Sequence, residues 1–310
     1  MVPLAPAPTD TLPTARAADG LAIARAADGL PIARTVEDVR AQVAAWRGKG
    51  GTVALVPTMG ALHDGHLGLI RRARELADHV VASVFVNPTQ FAPHEDFDRY
   101  PRDEAGDAAK LASAGCTLLY APSVRGMYPE GFATAITVGG PAEGLCGTFR
   151  PQMFGGVALV VTKLFLQVLP DVAVFGEKDY QQLMVIRRFT RDLDIPVRVE
   201  GLPTVREADG LAMSSRNAYL SADERARAPE LNRALVEAAD GLSAGADSGV
   251  ALDAVRARIR AAGFGTIDYV ELRDAETLEP VRRVERPARL LAAAWMGKAR
   301  LIDNVPVLPR

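Results

Sequence analysis

The chain has 310 residues, with 36 Lys and Arg against 38 Asp and Glu, four His, a formal net charge of −2 and 48% hydrophobic side chains. This near-neutral balance leaves no electrostatic footprint for nucleic acid or for an anionic membrane surface, and the length suggests two domains. The apolar stretch at residues 157–168 is interrupted by Lys163 and Gln167 and falls short of the ~20 residues a bilayer requires, so no transmembrane helix is predicted. Cys116 and Cys146 form no CxxC pair, which supports neither a zinc site nor a disulfide framework and fits a reducing cytoplasm.

Residues 1–34 differ in kind from the rest. Ala15-Arg16-Ala17-Ala18-Asp19-Gly20-Leu21 recurs as Ala24-Arg25-Ala26-Ala27-Asp28-Gly29-Leu30, and two copies cannot build a solenoid. The segment lacks the apolar core of a signal peptide, so a flexible, disordered leader or an upstream start codon is expected. A helix follows over 36–48. Strand-like runs then recur at 52–56, 79–86, 117–120, 172–176 and 197–201, separated by helical stretches at 67–78, 103–114, 156–168 and 179–193. The alternation predicts an α/β fold, a Rossmann-like doubly wound parallel sheet, over 35–203. Composition changes near Pro203. Ala-rich helices at 222–244 and 250–262, a loop at 241–249, and strands at 267–273 and 290–296 predict a second, smaller α+β C-terminal domain over 204–310.

Two of the four histidines fall in His63-Asp64-Gly65-His66, between the first strand and the helix after it. In a parallel sheet that junction is a strand's carboxyl end facing a helix N-terminus, where free N–H groups and the dipole favour phosphate. Spacing of three brings both imidazoles to one side of the first turn as hydrogen-bond donors. The competing reading is a pair of polar caps around a Gly-containing turn. Three further segments fit the same ligand. Asn87-Pro88-Thr89-Gln90 follows the second strand, Gly176-Glu177-Lys178-Asp179-Tyr180-Gln181-Gln182 follows a later one, and Met213-Ser214-Ser215-Arg216-Asn217 lies in the second domain. Lys178 opens a helix, where a cation is mildly disfavoured by the dipole and a bound anion would compensate. His79 and His94 have no motif around them and read as surface or strand-edge residues.

Together these segments resemble the pantothenate synthetase (pantoate–β-alanine ligase) family, within the HIGH-motif nucleotidyltransferases. The resemblance runs from about Thr35 to Asn304 and includes Ala294-Trp295-Met296-Gly297 and Arg300-Leu301-Ile302-Asp303-Asn304. It implies ATP-dependent condensation of pantoate with β-alanine to pantothenate, AMP and pyrophosphate through a pantoyl adenylate, with Mg²⁺ accompanying ATP, in a cytoplasmic homodimer. Such a displacement depends on fixed donors and positive charge around developing oxyanions. The catalytic set implied is His63, His66, Lys178, Arg216 and Asn87. ATP would meet Pro57, Thr58, Met59, Gly60, Gly176, Glu177, Asp179, Val205, Met213, Ser214 and Ser215 as well, with Asp179 on the ribose. Pantoate would be gripped by Gln90, Gln182, Met59 and Asn87, and Asp107 would be the Mg²⁺ ligand.

Three positions depart from the pattern that the resemblance implies: Cys146 stands for Glu, Met153 for His, and Gly106 for an acidic residue beside Asp107. A donor lost to a charged group is worth ~1.5–3 kcal/mol. Cys146 reads as a small buried apolar substitute, or as a thiol made reactive by Arg150. Two alternatives therefore stay open: a paralogous adenylate-forming ligase for a different acid or amine, and a weakened nucleotide-binding protein.

Overall fold

The structure, a computed structural model, describes residues 23–92 and 97–310. Seven strands form one sheet: β1 (Ala24–Arg25), β2 (Pro31–Ala33), β3 (Val53–Thr58), β4 (His79–Val84), β5 (Leu118–Tyr120), β6 (Val172–Gly176) and β7 (Arg198–Leu202). Their order is β1-β2-β5-β4-β3-β6-β7, with every pair parallel except β1–β2. A second, antiparallel sheet runs β10-β9-β8, from β8 (Ile267–Asp274), β9 (Ala288–Met296) and β10 (Ala299–Val307).

Ten α-helices accompany them among the described residues: α1 (Val36–Arg47), α2 (Asp64–Leu76), α3 (Glu104–Ser113), α4 (Val124–Met127), α5 (Leu145–Phe149), α6 (Met153–Val168), α7 (Tyr180–Asp192), α8 (Ala222–Arg227), α9 (Glu230–Ser243) and α10 (Ser248–Ala261). The period-two geometry of a strand divides the large sheet's apolar residues between two cores. Val53, Leu55, Val81, Leu118 and Phe175 pack on α1, α6 and α7. Ala54, Val56, Val80, Ala82 and Val174 pack on α2 and α3. Both faces are covered, so the near-continuous apolar strands have no wet side. Helices α8 to α10 and the small sheet share a third core around Leu235, Ile259, Val270 and Ala292. No helix among the described residues is long and apolar enough to cross a membrane.

The structure differs from the sequence expectation in several places, the short helices α4 and α5 among them. The expected leader joins the fold before residue 34, because buried Ile32 and Ala33 pair in parallel with Leu119 and Tyr120 of β5. The helix expected over 222–244 is broken at Pro229, which lacks an N–H; Ser221 and Glu224 form a capping box for α8, and α9 restarts at Glu230. Strand β10 was expected only as part of a resemblance and not as an element. His79 opens β4 and stacks on Trp46 with ring centroids 4.2 Å apart, as a strand-edge residue, whereas His94 lies outside the described residues.

Candidate active site

The chain leaves β3 for β4 and β5 on one side and returns to β6 and β7 on the other, so strand order reverses between β3 and β6. Ligands of open α/β sheets bind in the crevice at the carboxyl ends of such strands. At the end of β3, the Thr58 hydroxyl donates to Ser83 O at 2.7 Å, and Gly60 N–H donates to Thr58 Oγ1 at 3.3 Å. Gly60 (φ +86°) and Ala61 (φ +52°) then turn the chain into α2, whose N-cap is His63.

His63 Nδ1 accepts from Gly65 N–H at 3.2 Å, and His66 Nδ1 accepts from His63 N–H at 3.4 Å. These bonds assign the proton of each neutral ring to Nε2, leaving two N–H donors on rings whose centroids are 4.1 Å apart. Burial, followed by the charge of Lys178, lowers the pKa of His63. Burial, then His63 and Lys178, lowers that of His66 to about 3. At neutral pH both are therefore uncharged donors, with the charges of Lys178 and, less strongly, Lys110 bearing on them.

Lys178 lies in a 3-10 turn, Glu177–Asp179, immediately after β6. Asn304 of β10 donates through Nδ2 to the carbonyls of Glu177 (2.9 Å) and Lys178 (3.0 Å). Its Oδ1 accepts from Arg289 Nε at 2.6 Å, while Arg289 Nη2 donates to Glu177 Oε2 at 2.8 Å. The Arg289 guanidinium also stacks on Tyr180, 4.1 Å from the ring centroid. The side chain of Glu177 is thus turned to Arg289, and the small sheet holds the lysine turn in place. Sequence reasoning gave Arg289 no role and read Asn304 only as part of a resemblance. Their signal was Arg at the start of an otherwise apolar strand and Asn in a mixed one, where buried polar groups require partners.

Val205 and Met213 approach α2 from the other side. Met213 N–H donates to Val205 O at 3.0 Å. A Cβ on Gly65 would lie 3.6 Å from Met213 Cβ, and one on Gly68 would lie 3.5 Å from Val205 Cγ2. Ser214 Oγ accepts from Arg216 N–H at 3.3 Å and caps the 3-10 turn Ser215–Tyr219. A narrow cleft lined by Lys178, Ala212, Ser214, Asn217 and Asp303 separates this turn from the lysine turn.

The segment after β4 forms a third wall. Asn87 is 1% exposed, and its amide is fully committed. Oδ1 accepts from Thr89 N–H (3.3 Å), Thr89 Oγ1 (2.9 Å) and Tyr128 Oη (2.8 Å). Nδ2 donates to Gln90 Oε1 (3.0 Å) and Gly156 O (3.1 Å). Expected among the reacting groups, Asn87 instead orients Gln90, whose Nε2 donates to Met59 Sδ at 3.1 Å. Gln182, half-buried on α7, has no side-chain hydrogen bond among the described residues. Arg150 Nη1 donates to Met153 Sδ at 2.6 Å, so the thioether accepts at a position where a donor was expected.

Asp107 does not suit the metal role expected of it. It is 2% exposed, and its two oxygens accept from Ala61 N–H (2.9 Å) and Leu62 N–H (2.8 Å). No cluster of three His, Cys, Asp or Glu side chains able to hold a metal occurs among the described residues. Mg²⁺ favours near-ideal octahedral oxygen coordination, which one committed carboxylate does not supply. Cys146 also differs from expectation. It is buried, but its surroundings are polar: Sγ lies 3.2 Å from Tyr269 Oη and 3.5 Å from Arg300 Nη1, and the neighbouring cation is Arg300 rather than Arg150.

Comparison with known proteins identifies the family. The profile of the family described as pantoate-beta-alanine ligase matches residues 31–306. The pantothenate synthetase of Paramagnetospirillum magneticum is 64% identical over 275 residues, spanning 89% of this chain and 97% of that protein. That of Rhodospirillum rubrum is 59% identical over 274 residues, 88% and 97% of the two chains. The crystal structure of pantothenate synthetase from Thermus thermophilus superposes with a TM-score of 0.84 at 50% identity, covering 90% of this chain and 99% of that one. The pantoate-beta-alanine ligase of Francisella tularensis, a complex with β,γ-ATP and β-alanine, gives 0.74 at 31% identity, covering 89% and 97%. The chain belongs to the pantoate–β-alanine ligase family, whose members join pantoate to β-alanine with ATP as co-substrate.

Proposed function

We propose that ligation proceeds in two steps at the crevice between β3 and β6. The pantoate carboxylate attacks the α-phosphorus of ATP, forming the acyl–oxygen–phosphorus anhydride and breaking the bond to pyrophosphate. The neutral amine of β-alanine then attacks the pantoyl carbonyl, the amide forms, AMP leaves, and the amine proton is lost to solvent. The Nε2–H groups of His63 and His66 donate to the triphosphate, and Lys178 carries the fixed charge for the α-phosphate through both steps. Ser214, Ser215 and Arg216 close on the phosphates, with Val205 and Met213 against the nucleotide. Backbone at Pro57 to Gly60 and at Gly176 borders the cleft, and Asp179 takes the ribose. Gln90 and Gln182 grip pantoate beside Met59.

Neither step needs a covalent protein intermediate. Donors arranged before the reaction stabilise the developing oxyanions, and holding the amine beside the anhydride supplies effective concentration worth ~7–11 kcal/mol. Mg²⁺ is proposed to arrive on the phosphate oxygens of ATP, and no step here is assigned to a protein-held ion. The region from residue 204 is proposed as the lid of the cleft, since Asn304 and Arg289 reach the lysine turn from it. A reducing, cytoplasmic location accords with two free cysteines. A homodimer is proposed as well: residues 133–138 run outside any helix or strand, with no backbone hydrogen bond among the described residues, leaving polar groups open to a partner. Sedimentation of the purified chain at twice the monomer mass would support it, and a monomer at micromolar concentration would remove it.

The observation that carries the reading is the convergence of two neutral imidazole donors and Lys178 at the strand-order reversal. The test is AMP release with ATP, Mg²⁺, pantoate and β-alanine. Turnover requiring both organic substrates, and lost in Lys178→Ala, is expected. Turnover surviving in that variant would refute the role of Lys178.

A further inference from the structure

We infer that Asp107 is a positioning residue that sets where α2 begins, and with it where the imidazoles of His63 and His66 point. Ala61 holds a left-handed φ of +52°, a conformation that a side chain with Cβ adopts only when its surroundings impose it. The imposing contacts all come from α3. Asp107 accepts from the N–H groups of Ala61 and Leu62 at 2.9 and 2.8 Å, and one turn later Lys110 Nζ donates to Leu62 O at 2.9 Å. Three charge-assisted bonds thus grip two consecutive residues, and His63 follows directly as the helix cap. Gly60 completes the device, since a Cβ there would come within 2.9 Å of Asp107 Oδ2.

The buried carboxylate spends an oxygen on each backbone donor, which accounts for its position without a cation. Asparagine cannot reproduce the arrangement: its carboxamide offers one acceptor, and its N–H groups would oppose a backbone N–H. The inference rests on the reading that His63 and His66 receive the triphosphate, so the test needs one readout that is independent of ATP.

Amide hydrogen exchange of Ala61 and Leu62 is that readout, measured in the full chain for wild type, Asp107→Asn and Lys110→Met. Both variants should lose protection at these amides, and ATP affinity by calorimetry should fall about tenfold in Asp107→Asn, with and without EDTA. The free Mg²⁺ giving half-maximal AMP release should not move. Adding Ala61→Gly to Asp107→Asn should recover several-fold of the lost affinity, because glycine adopts the left-handed conformation unaided. Retained amide protection in both variants, absence of rescue in a folded double variant, or a tenfold rise in the Mg²⁺ requirement with ATP affinity in EDTA unchanged would each overturn the inference. Lost protection with unchanged ATP affinity would leave the clamp standing and refute instead the triphosphate role of the two histidines.

Discussion

Gly156, in the first turns of α6, offers a direct test of how the proposed pantoate wall is held. A Cβ at this position would lie 2.4 Å from Thr89 O, 2.5 Å from Thr89 C and 2.7 Å from Gln90 N. All three are backbone atoms of the turn after β4, so no side chain can rotate away to make room. Ordinary contact begins near 3.4 Å, and Gly156→Ala must therefore push the turn back by about 1 Å in a close-packed region. The same displacement lengthens the bond from Asn87 Nδ2 to Gly156 O, now 3.1 Å, and moves Gln90 with it. Overpacking of this kind costs about 1–3 kcal/mol, a fall in Tm of roughly 1.5–5 °C for a chain of this size. A reacting group misplaced by about 1 Å can lose roughly a hundredfold in rate, so kcat/KM for pantoate should fall by one to two orders of magnitude while the KM for ATP changes little. Calorimetric melting and initial rates at varied pantoate measure both effects. A folded variant with wild-type pantoate kinetics would refute the claim that this contact fixes Gln90.

Three other perturbations test separate parts of the site. His66 is neutral in the fold, with its pKa lowered to about 3 by burial and then by His63 and Lys178, but titrates near about 6.5 when unfolded. The unfolded chain binds the extra proton between those values, so stability is complete above about pH 6.5 and is lost as pH falls towards 3, by up to about 1.4 kcal/mol per unit. Urea unfolding should decline less steeply over this range in His66→Asn than in wild type, and equal slopes would contradict the assignment. Asn304→Ala strips the donor from two carbonyls and the acceptor from Arg289, at about 1–3 kcal/mol for each group left unpaired; calorimetry should show ATP affinity at least about tenfold weaker. Tyr128→Phe removes one of three donors to Asn87 Oδ1, leaving both from Thr89. At about 0.5–1.5 kcal/mol for the lost bond, KM for pantoate should rise roughly two- to tenfold with Tm nearly unchanged, and an unaltered KM would show that Thr89 alone suffices.

Local signals were the legible ones. The Val-rich runs of β3, β4 and β6 and the spacing of α2 and α7 carry periodicity within a short window, and the histidine and lysine turns sit where strand meets helix. The partners of those turns were not legible, because a hydrogen bond between Asn304 and the carbonyl of Lys178 spans more than a hundred positions and leaves no local pattern. The same holds for Asp107. Its position in the first turn of α3 reads equally well as a surface acid or a metal ligand, and only the approach of residues 61 and 62 decides its role. β2 was hidden for a different reason: its three residues follow a low-complexity repeat, and it becomes a strand by pairing with β5 rather than by its own propensity.

At Cys146, where the pattern implied by the resemblance has an acid, the backbone path is held by other residues. Cys146 donates its backbone N–H to Gln181 Oε1 at 2.9 Å, and the Gln181 amide donates to Pro141 O at 3.0 Å and Gly144 O at 3.2 Å. The loop entering α5 is therefore held through its main chain by one buried glutamine, whichever side chain stands at 146. Arg300 does not lose its counter-charge either, because Nε donates to Asp268 Oδ2 at 2.7 Å within the small sheet, and Asp268 also accepts from Trp295 Nε1 at 3.2 Å. A buried guanidinium left without a carboxylate would be strongly destabilising, whereas one that keeps its acid tolerates a thiol as a further neighbour. With Cys146 at this position α5 stays linked to β10 through Sγ and Arg300, and no bond of Lys178, its Asn304 tether or the imidazole pair runs through it. The proposed chemistry depends on those groups, and the main-chain bonds of Gln181 hold the loop that carries Cys146 apart from them.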